Sequence, residues 1–462
     1  MAEKSAIPVE LGTEKIGRLL KQYALPAIIA QTASSLYNMV DSIFIGQGVG
    51  PLAISGLAVT FPLMNLSTAF GTLVGAGAAT MLSVLLGQKN YKAANKVLGN
   101  VVSLNVILGL LFMAVALTFI DPILYFFGAS ENTLPYAKEY IQIILYGNIV
   151  THLYFGLNAA MRSSGNPKKA MALTIFTVVF NTILDPIFIF VFDMGIAGAA
   201  WATVIAQTAA MIVVLKHFSD KSRAFHFEKG IFKLDPRVAK DSLVIGMGPF
   251  LMNAAACLVT LFINQQLRDY SGDLGIGSYG ICNRFIFMFI MICMGLNQGM
   301  QPIAGYNYGA KQYSRVKEVF WMTAKLGTIV TTLCFCIGMF IPRLAAGIFT
   351  HDEALLNMSA EGMRILTIGF PIVGFQMIGT NFFQCLGMVK KSIILSLSRQ
   401  LLFLLPLLYC LPLWMGANGV WMSFPISDVL SALLTAILLR RLFKKFNMLK
   451  DGEESTILGS NL

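Results

Sequence analysis

The chain has 462 residues, 56% of them hydrophobic and 12% charged, with a formal net charge of +11 at pH 7 and a mean hydropathy of +0.70. That is too little polar surface to clothe a water-soluble particle of this size, so a soluble enzyme or scaffold is excluded and an integral membrane protein is expected. The basic excess is spread over alternate connections rather than gathered in one patch, which excludes a nucleic-acid footprint.

Apolar runs between charge clusters predict twelve membrane-spanning helices, since roughly 20 residues at ~1.5 Å rise cross a ~30 Å hydrocarbon core. They lie near 20–46, 51–86, 96–120, 134–160, 168–192, 195–217, 240–267, 275–308, 317–342, 357–385, 391–414 and 416–439. The alternation of a β-barrel is absent. The first run carries Asp41 and is a full span, so it does not read as a cleavable signal peptide. Lys89, Lys92 and Lys96 follow the second span, and Arg162, Lys168 and Lys169 the fourth; seven basic residues between Lys216 and Lys240 follow the sixth. Lys311, Arg315 and Lys317 follow the eighth, Lys390 and Lys391 the tenth, and Arg440, Arg441, Lys444 and Lys445 close the twelfth. The other connections hold only Lys138, Arg268 and Arg343, so both termini are expected in the cytoplasm, of a bacterial inner membrane. All seven cysteines lie inside apolar runs, where packing is their expected role.

The chain repeats itself. GQKNYKAANKV at 87–97 returns as GAKQYSRVKEV at 309–319, GNPKK at 165–169 as GMVKK at 387–391, and MGIAGAAW at 194–201 as MGANGVW at 415–421, at offsets of 222, 222 and 221. The expected architecture is therefore an all-α polytopic protein with two pseudo-symmetric six-helix lobes of the same orientation. The first lobe is 20–217 and the second 240–440, flanked by a cytoplasmic segment 1–19, a linker 218–239 and a tail 441–462. Parallel repeats of this kind favour a transporter that works by alternating access.

Two intramembrane acids point to how such a transporter is driven. Asp41 lies ~30 Å into the first span and Asp185 ~25 Å into the fifth, at 1.5 Å per residue, so they can face each other. Their repeat positions are Ile263 and Leu407, so neither acid is duplicated. Asn181 and Asp185 are four apart on one helix face, Asn38 and Asp41 three apart, and Asn158 and Thr203 lie on the fourth and sixth spans. Carboxylate, amide and hydroxyl oxygens are what Na⁺ binds, while a buried aspartate would instead carry a proton. The residue types leave both open, with Asp41, Asn181 and Asp185 as the candidate Na⁺ ligands.

In the second lobe, Arg399 and Asp428 on adjacent spans, and Glu361 and Arg364 one turn apart, are expected to form structural ion pairs. His152 is expected to hydrogen bond rather than titrate. No GxxxxGK[ST], HExxH or GxSxG signature is present, so the chain is not expected to be an enzyme and needs no cofactor beyond a coupling ion, Na⁺ or H⁺. Twenty-four Met and 34 Phe provide an adaptable apolar lining. FMFIMICM at 287–294 places Met288 and Met291 beside the expected cavity. A lipophilic organic cation would find apolar surface and countercharge there. The expected partners are amphipathic or cationic small molecules and membrane lipid, no nucleic acid, with the monomer as the working unit.

The stretch LPAIIAQTASSLYNMVDSIFIGQGVGPLAISGLAVTFPL, the GQKNYKAANKV loop, GLNAAMRSSGNPKKAM and FNTILDPIFIF followed by MGIAGAAWATVIAQ together resemble the multidrug and toxic compound extrusion (MATE) family, in its MepA-like or DinF-like branch. The resemblance implies export of amphipathic, often cationic compounds against Na⁺ or H⁺. It implies a first-lobe site of Asp41, Asn181 and Asp185 with Asn158 and Thr203. Tyr140 matches a tyrosine of the fourth span, and Tyr37 and Tyr140 join Met288 and Met291 as expected cavity residues. The acid that some members carry on the seventh span is missing from VIGMGPFLMNAAACLVTLFINQQL. An alternative in the same superfamily is a flippase for lipid-linked saccharides, which would use Arg284, Arg364 and Arg399 against a pyrophosphate.

Overall fold

The structure, a computed structural model, describes residues 9–223, 225–228, 230, 233–350 and 352–453. Parts of the expected N-terminal segment, linker and C-terminal tail lie outside the described residues, as does the side chain of Asn38. Among the described residues there is no β-strand. The passages are α1 (Ile16–Gly48), α2 (Pro51–Gly87), α3 (Tyr91–Thr118), a two-armed α4 (Leu134–Tyr146 and Asn148–Ser163), α5 (Pro167–Pro186) and α6 (Gly195–Ser219). Then follow α7 (Pro236–Leu267) and α8 (Leu274–Gly309), α9 (Tyr313–Phe340) and a two-armed α10 (Glu353–Thr367 and Phe370–Cys385). Last come α11 (Val389–Met415) and α12 (Ala417–Phe446). Among the described residues, nine of these helices are long and apolar enough to cross a bilayer, ten if the arms of α10, bent by 55°, count as one. The remaining passages are α1 and the broken α4. The chain is a multi-pass helical membrane protein.

The repeat written in the sequence recurs in the backbone. Left-handed conformations fall at Gly50 and Gly272, Lys89 and Lys311, Gly165 and Gly387, each 222 residues apart, and at Gly195 and Gly416, 221 apart. The last two close the turns before α6 and α12 with φ 58°, and at Gly416 the ψ of −138° lies outside the small left-handed basin open to other residues, so only glycine is unstrained there. α4 breaks at Gly147 and α10 at Gly369, again 222 apart. Short helices follow α3 and α9 at Ile120–Phe126 and Pro342–Gly347, where the sequence pattern had simply ended the third and ninth spans. Pro122 and Pro342 start them, as proline lacks the N–H a continuing helix needs but fits its first turn.

Two turns are π-helical, Ile187–Val191 at the end of α5 and Ser398–Leu404 within α11. Each lies next to a proline, Pro186 or Pro406. The missing proline N–H breaks the regular ladder there, and widening by one residue is one way the chain re-forms it.

By contacts the described chain forms two compact units, residues 9–13 with 29–250 and residues 14–28 with 251–453. One boundary falls just before α1, one within α1 and one within α7. In the first unit the core is built on Leu63, Ala116, Leu124, Ile141 and Leu145, and beside it on Ile45, Tyr140, Ile189 and Ala199. In the second it gathers Ile263, Cys282, Phe285, Cys334, Met363, Phe370 and Trp421. The cysteines are all unpaired.

Each unit also ties the segment after its sixth passage to the start of its third. In the first, Asn95 Nδ2 donates to Glu228 Oε1 at 2.8 Å, the Asp235 N–H to Asn100 Oδ1 at 3.0 Å, and Tyr91 lies against Phe225. In the second, the Ser314 N–H donates to Asp451 Oδ1 at 3.0 Å, the Gly452 N–H to the Lys311 carbonyl at 2.9 Å, and Lys317 Nζ to Asn447 Oδ1 at 2.8 Å. Asn95 and Lys317 are repeat equivalents.

Candidate functional site

α5 is a membrane helix turned inside out relative to a soluble one. Phe176, Val179 and Ile183 are 42–54% exposed, while Asn181 and Asp185 on the opposite side are buried. Hydrocarbon pays no penalty for the apolar face, whereas the carboxylate must find polar company inside the protein. Asn181 Nδ2 donates to Asp185 Oδ1 at 2.7 Å, the four-residue spacing bringing the two side chains together.

The rest of the cluster comes from α1, α4 and α6. Asp41 is buried. The hydroxyls of Tyr37 and Thr203 are 2.9 Å apart. Asp41 and Asp185 lie within electrostatic reach of each other, and Tyr37 and the fully buried Tyr140 within reach of both. Of the residues singled out in the sequence, the structure thus gathers Tyr37, Asp41, Tyr140, Asn181, Asp185 and Thr203. Asn158 is engaged elsewhere: its amide nitrogen donates to the Ala170 carbonyl at 3.1 Å, fifteen residues before Asp185 on the same helix, or roughly 22 Å along the axis.

Each acid leaves one buried oxygen without a hydrogen-bond partner, Asp41 Oδ1 and Asp185 Oδ2. Two neighbouring carboxylates out of water, with no cationic side chain between them among the described residues, are unstable as a pair of bare anions. A bound cation or a proton removes the conflict. No third His, Cys, Asp or Glu joins them among the described residues, so the further donors on hand are amide, hydroxyl and phenol oxygens. That set suits a monovalent ion or a proton better than a site for a divalent metal with three charged ligands.

The second unit holds no copy of this cluster. Ile263 and Leu407 occupy the equivalent positions, Ile263 in the apolar core. Arg399 Nε donates to Asp428 Oδ1 at 2.7 Å, the expected ion pair. Glu361 and Arg364, also expected to pair, are both exposed and make no ion pair with each other; two long exposed side chains gain too little from pairing to repay the entropy of holding one geometry. Met288 is 59% exposed, and Met291 is half-buried on the same helix.

A second polar cluster in the first unit was only partly foreseen. His152 Nε2 lies 2.9 Å from the Ser67 carbonyl, the Ser67 hydroxyl donates to Asn148 Oδ1, and Asn148 Nδ2 donates to the Gly109 carbonyl at 3.2 Å. Asn148 follows the break at Gly147, and its amide joins Ser67 of α2 to Gly109 of α3. In the sequence, an amide beside a glycine in mid-span was the available signal.

A helical multi-pass chain with a duplicated half and a buried acid pair in only one copy has the construction of a membrane transporter. The family model of MatE matches residues 26–187 and again 249–410, two stretches beginning 223 residues apart; the chain belongs to the MatE family of transporters and is not an enzyme. Over 421 residues it is 28% identical to the multidrug export protein MepA of Staphylococcus aureus strain MRSA252, covering 91% of this chain and 93% of that protein. It is 37% identical to the MATE multidrug transporter DinF-BH, solved as a complex with a ligand, with a TM-score of 0.88 over 95% of this chain and 98% of that one. An outward-facing multidrug resistance MATE transporter of the MOP superfamily shares the fold, with a TM-score of 0.90 at 21% identity over 97% and 100% of the two chains.

Proposed function

We propose that this protein is a secondary active exporter that expels amphipathic, often cationic compounds in exchange for Na⁺ or H⁺ by alternating access. It acts as a monomer in a bacterial inner membrane with both termini in the cytoplasm. The observation that carries the coupling is the buried acid pair of Asp41 and Asp185, each with an unpartnered oxygen, present in one half of a duplicated chain and absent from the other. The names of MepA, a multidrug export protein, and of DinF-BH, a multidrug transporter, support the substrate class.

In this reading the ion or proton binds between the two carboxylates in the outward state and neutralises them. Asn181 orients Asp185, while the Tyr37–Thr203 hydroxyl pair and Tyr140 complete a polar wall. A lipophilic cation seeks the same negative charge, so ion and drug weaken each other's binding by the same factor, and ion entry favours drug release. Charge neutralisation also lowers the cost of moving the acids through a dry intermediate state.

The test uses the full chain in sealed liposomes with a fluorescent lipophilic cation, under a Na⁺ gradient alone and then a pH gradient alone. One of the two gradients drives movement in the wild type, and Asp41→Asn and Asp185→Asn each abolish it while the protein stays folded. Gradient-driven export at wild-type rate by both variants would sink the assignment.

A further inference from the structure

The Arg399–Asp428 pair has a property that a purely bracing ion pair would lack. Asp428 is buried, and it takes only the Nε–H of Arg399, at 2.7 Å. A guanidinium has five N–H donors. The four on the terminal nitrogens make no hydrogen bond to any described residue, and the side chain keeps 26% of its surface accessible. The main chain on either side is fixed: Ser427 Oγ donates to the Arg399 carbonyl at 2.6 Å, inside the π-helical turn Ser398–Leu404.

Arg399 lies on the protein side of α11. Ser392 and Ser396, seven and three residues earlier, project within about 60° of it on a helix and are both buried, whereas Ile394 and Leu401 on the far side are 53% and 37% exposed. Four unsatisfied donors at this depth are costly unless something polar meets them. Beside them is an aromatic cluster. Tyr279 stacks on Phe424 with ring centroids 5.8 Å apart, meets Trp421 at 6.3 Å, and lies within electrostatic reach of Arg399.

We infer that Arg399 is a specificity site for the carboxylate of an aromatic, lipophilic acid or zwitterion, with Tyr279 and Phe424 contacting the rings. Asp428 holds the guanidinium by its Nε edge and leaves the Nη1/Nη2 fork free, and that fork matches the two oxygens of a carboxylate. Asp428 is a positioning residue. The inference rests on the exporter reading and widens its substrates beyond cations, using the unit that has no acid pair.

The experiment measures binding to the detergent-solubilised full chain of 1-pyrenebutyrate, of its neutral amide 1-pyrenebutyramide, and of tetraphenylphosphonium. The variant is Arg399→Gln/Asp428→Asn, which removes both charges and strands neither. Wild type prefers the carboxylate over the amide by about tenfold or more, the worth of a charge-assisted hydrogen bond. The double variant binds both alike and keeps its tetraphenylphosphonium affinity. Arg399→Lys, which still pairs with Asp428 but has no fork, keeps less than half the preference and covers the case in which the double variant does not fold. Equal binding of acid and amide by wild type, or an undiminished preference in the variants, overturns this site. Failure of tetraphenylphosphonium to bind wild type would instead count against the exporter reading.

Discussion

Two glycines in the first unit set how closely α2 and the first turns of α7 approach. A Cβ on Gly77 would lie 2.7 Å from the carbonyl carbon of Ser242 and nearer still to its oxygen, and a Cβ on Gly246 would meet Leu73 in the same way at 2.7 Å. Carbon atoms rest about 3.5–4.0 Å apart, so a single methyl must push the helices apart by roughly 1 Å. The obstacle in both cases is backbone, which no rotamer change relieves. Gly77→Ala and Gly246→Ala are each expected to destabilise the fold at or above the upper end of the usual overpacking range of about 1–3 kcal/mol. Because either methyl opens the same crossing, the double variant should cost clearly less than the sum of the singles, a coupling of at least about 0.5 kcal/mol. Thermal unfolding in one detergent reads both quantities. The control is Gly280→Ala, in the interior of α8, where a Cβ meets nothing within 4 Å; there the change removes only glycine's helix penalty and should leave stability unchanged or raised by up to about 1 kcal/mol. If Gly77→Ala behaved like Gly280→Ala, the close backbone contact could not be what holds these helices together.

The Arg399–Asp428 pair gives a second expectation: Arg399→Met alone strands the buried Asp428 carboxylate and costs about 3–5 kcal/mol, Asp428→Leu alone costs less because Arg399 keeps 26% of its side chain accessible, and the double change is close to neutral, as thermal unfolding of the three variants will show. The tail contact is pH-dependent. Burial raises the Asp451 carboxyl, but the Ser314 hydroxyl, the Ser314 and Tyr313 N–H groups and the Lys317 charge together outweigh it, and the net position is below the ordinary aspartate value. A carboxyl depressed in the folded state stabilises above its unfolded pKa of about 3.9 and loses that contribution as pH falls through the folded value. The tail should therefore hold at neutral pH and loosen below about pH 4. Hydrogen exchange at the Gly452 N–H, which bonds to Lys311, should speed several-fold at pH 7 in Asp451→Asn, and unchanged protection would refute the assignment.

How much of this was legible in the sequence differs by level, for physical reasons. The long apolar helices and the repeat were readable because hydrocarbon demands long apolar runs and left-handed turns demand particular residues, so Gly195 and Gly416 stand out at one offset as letters and again as φ angles. The shared burial of Asp41, Asn181 and Asp185 was readable because a charge inside an apolar span is expensive wherever it occurs and helical spacing tells which neighbours can share its face. Asn158 resembled its partners in type, but an amide both donates and accepts, and nothing in its spacing distinguishes a ligand from a group that caps the Ala170 carbonyl. The Gly77–Gly246 crossing was illegible for the opposite reason: its information lies in missing atoms, and 41 glycines in one chain do not say which of them meet. Its counterpart shows how the fold uses that silence. Gly299, 222 residues after Gly77, faces Ala24, whose own repeat position is Gly246, and a Cβ on Gly299 would lie 2.6 Å from the Ala24 methyl. The second unit thus keeps the close crossing with a glycine on one helix only. A contact that survives duplication while its residues drift is fixed by the approach distance of two backbones, and the sequence needs to supply only enough small residues to permit it.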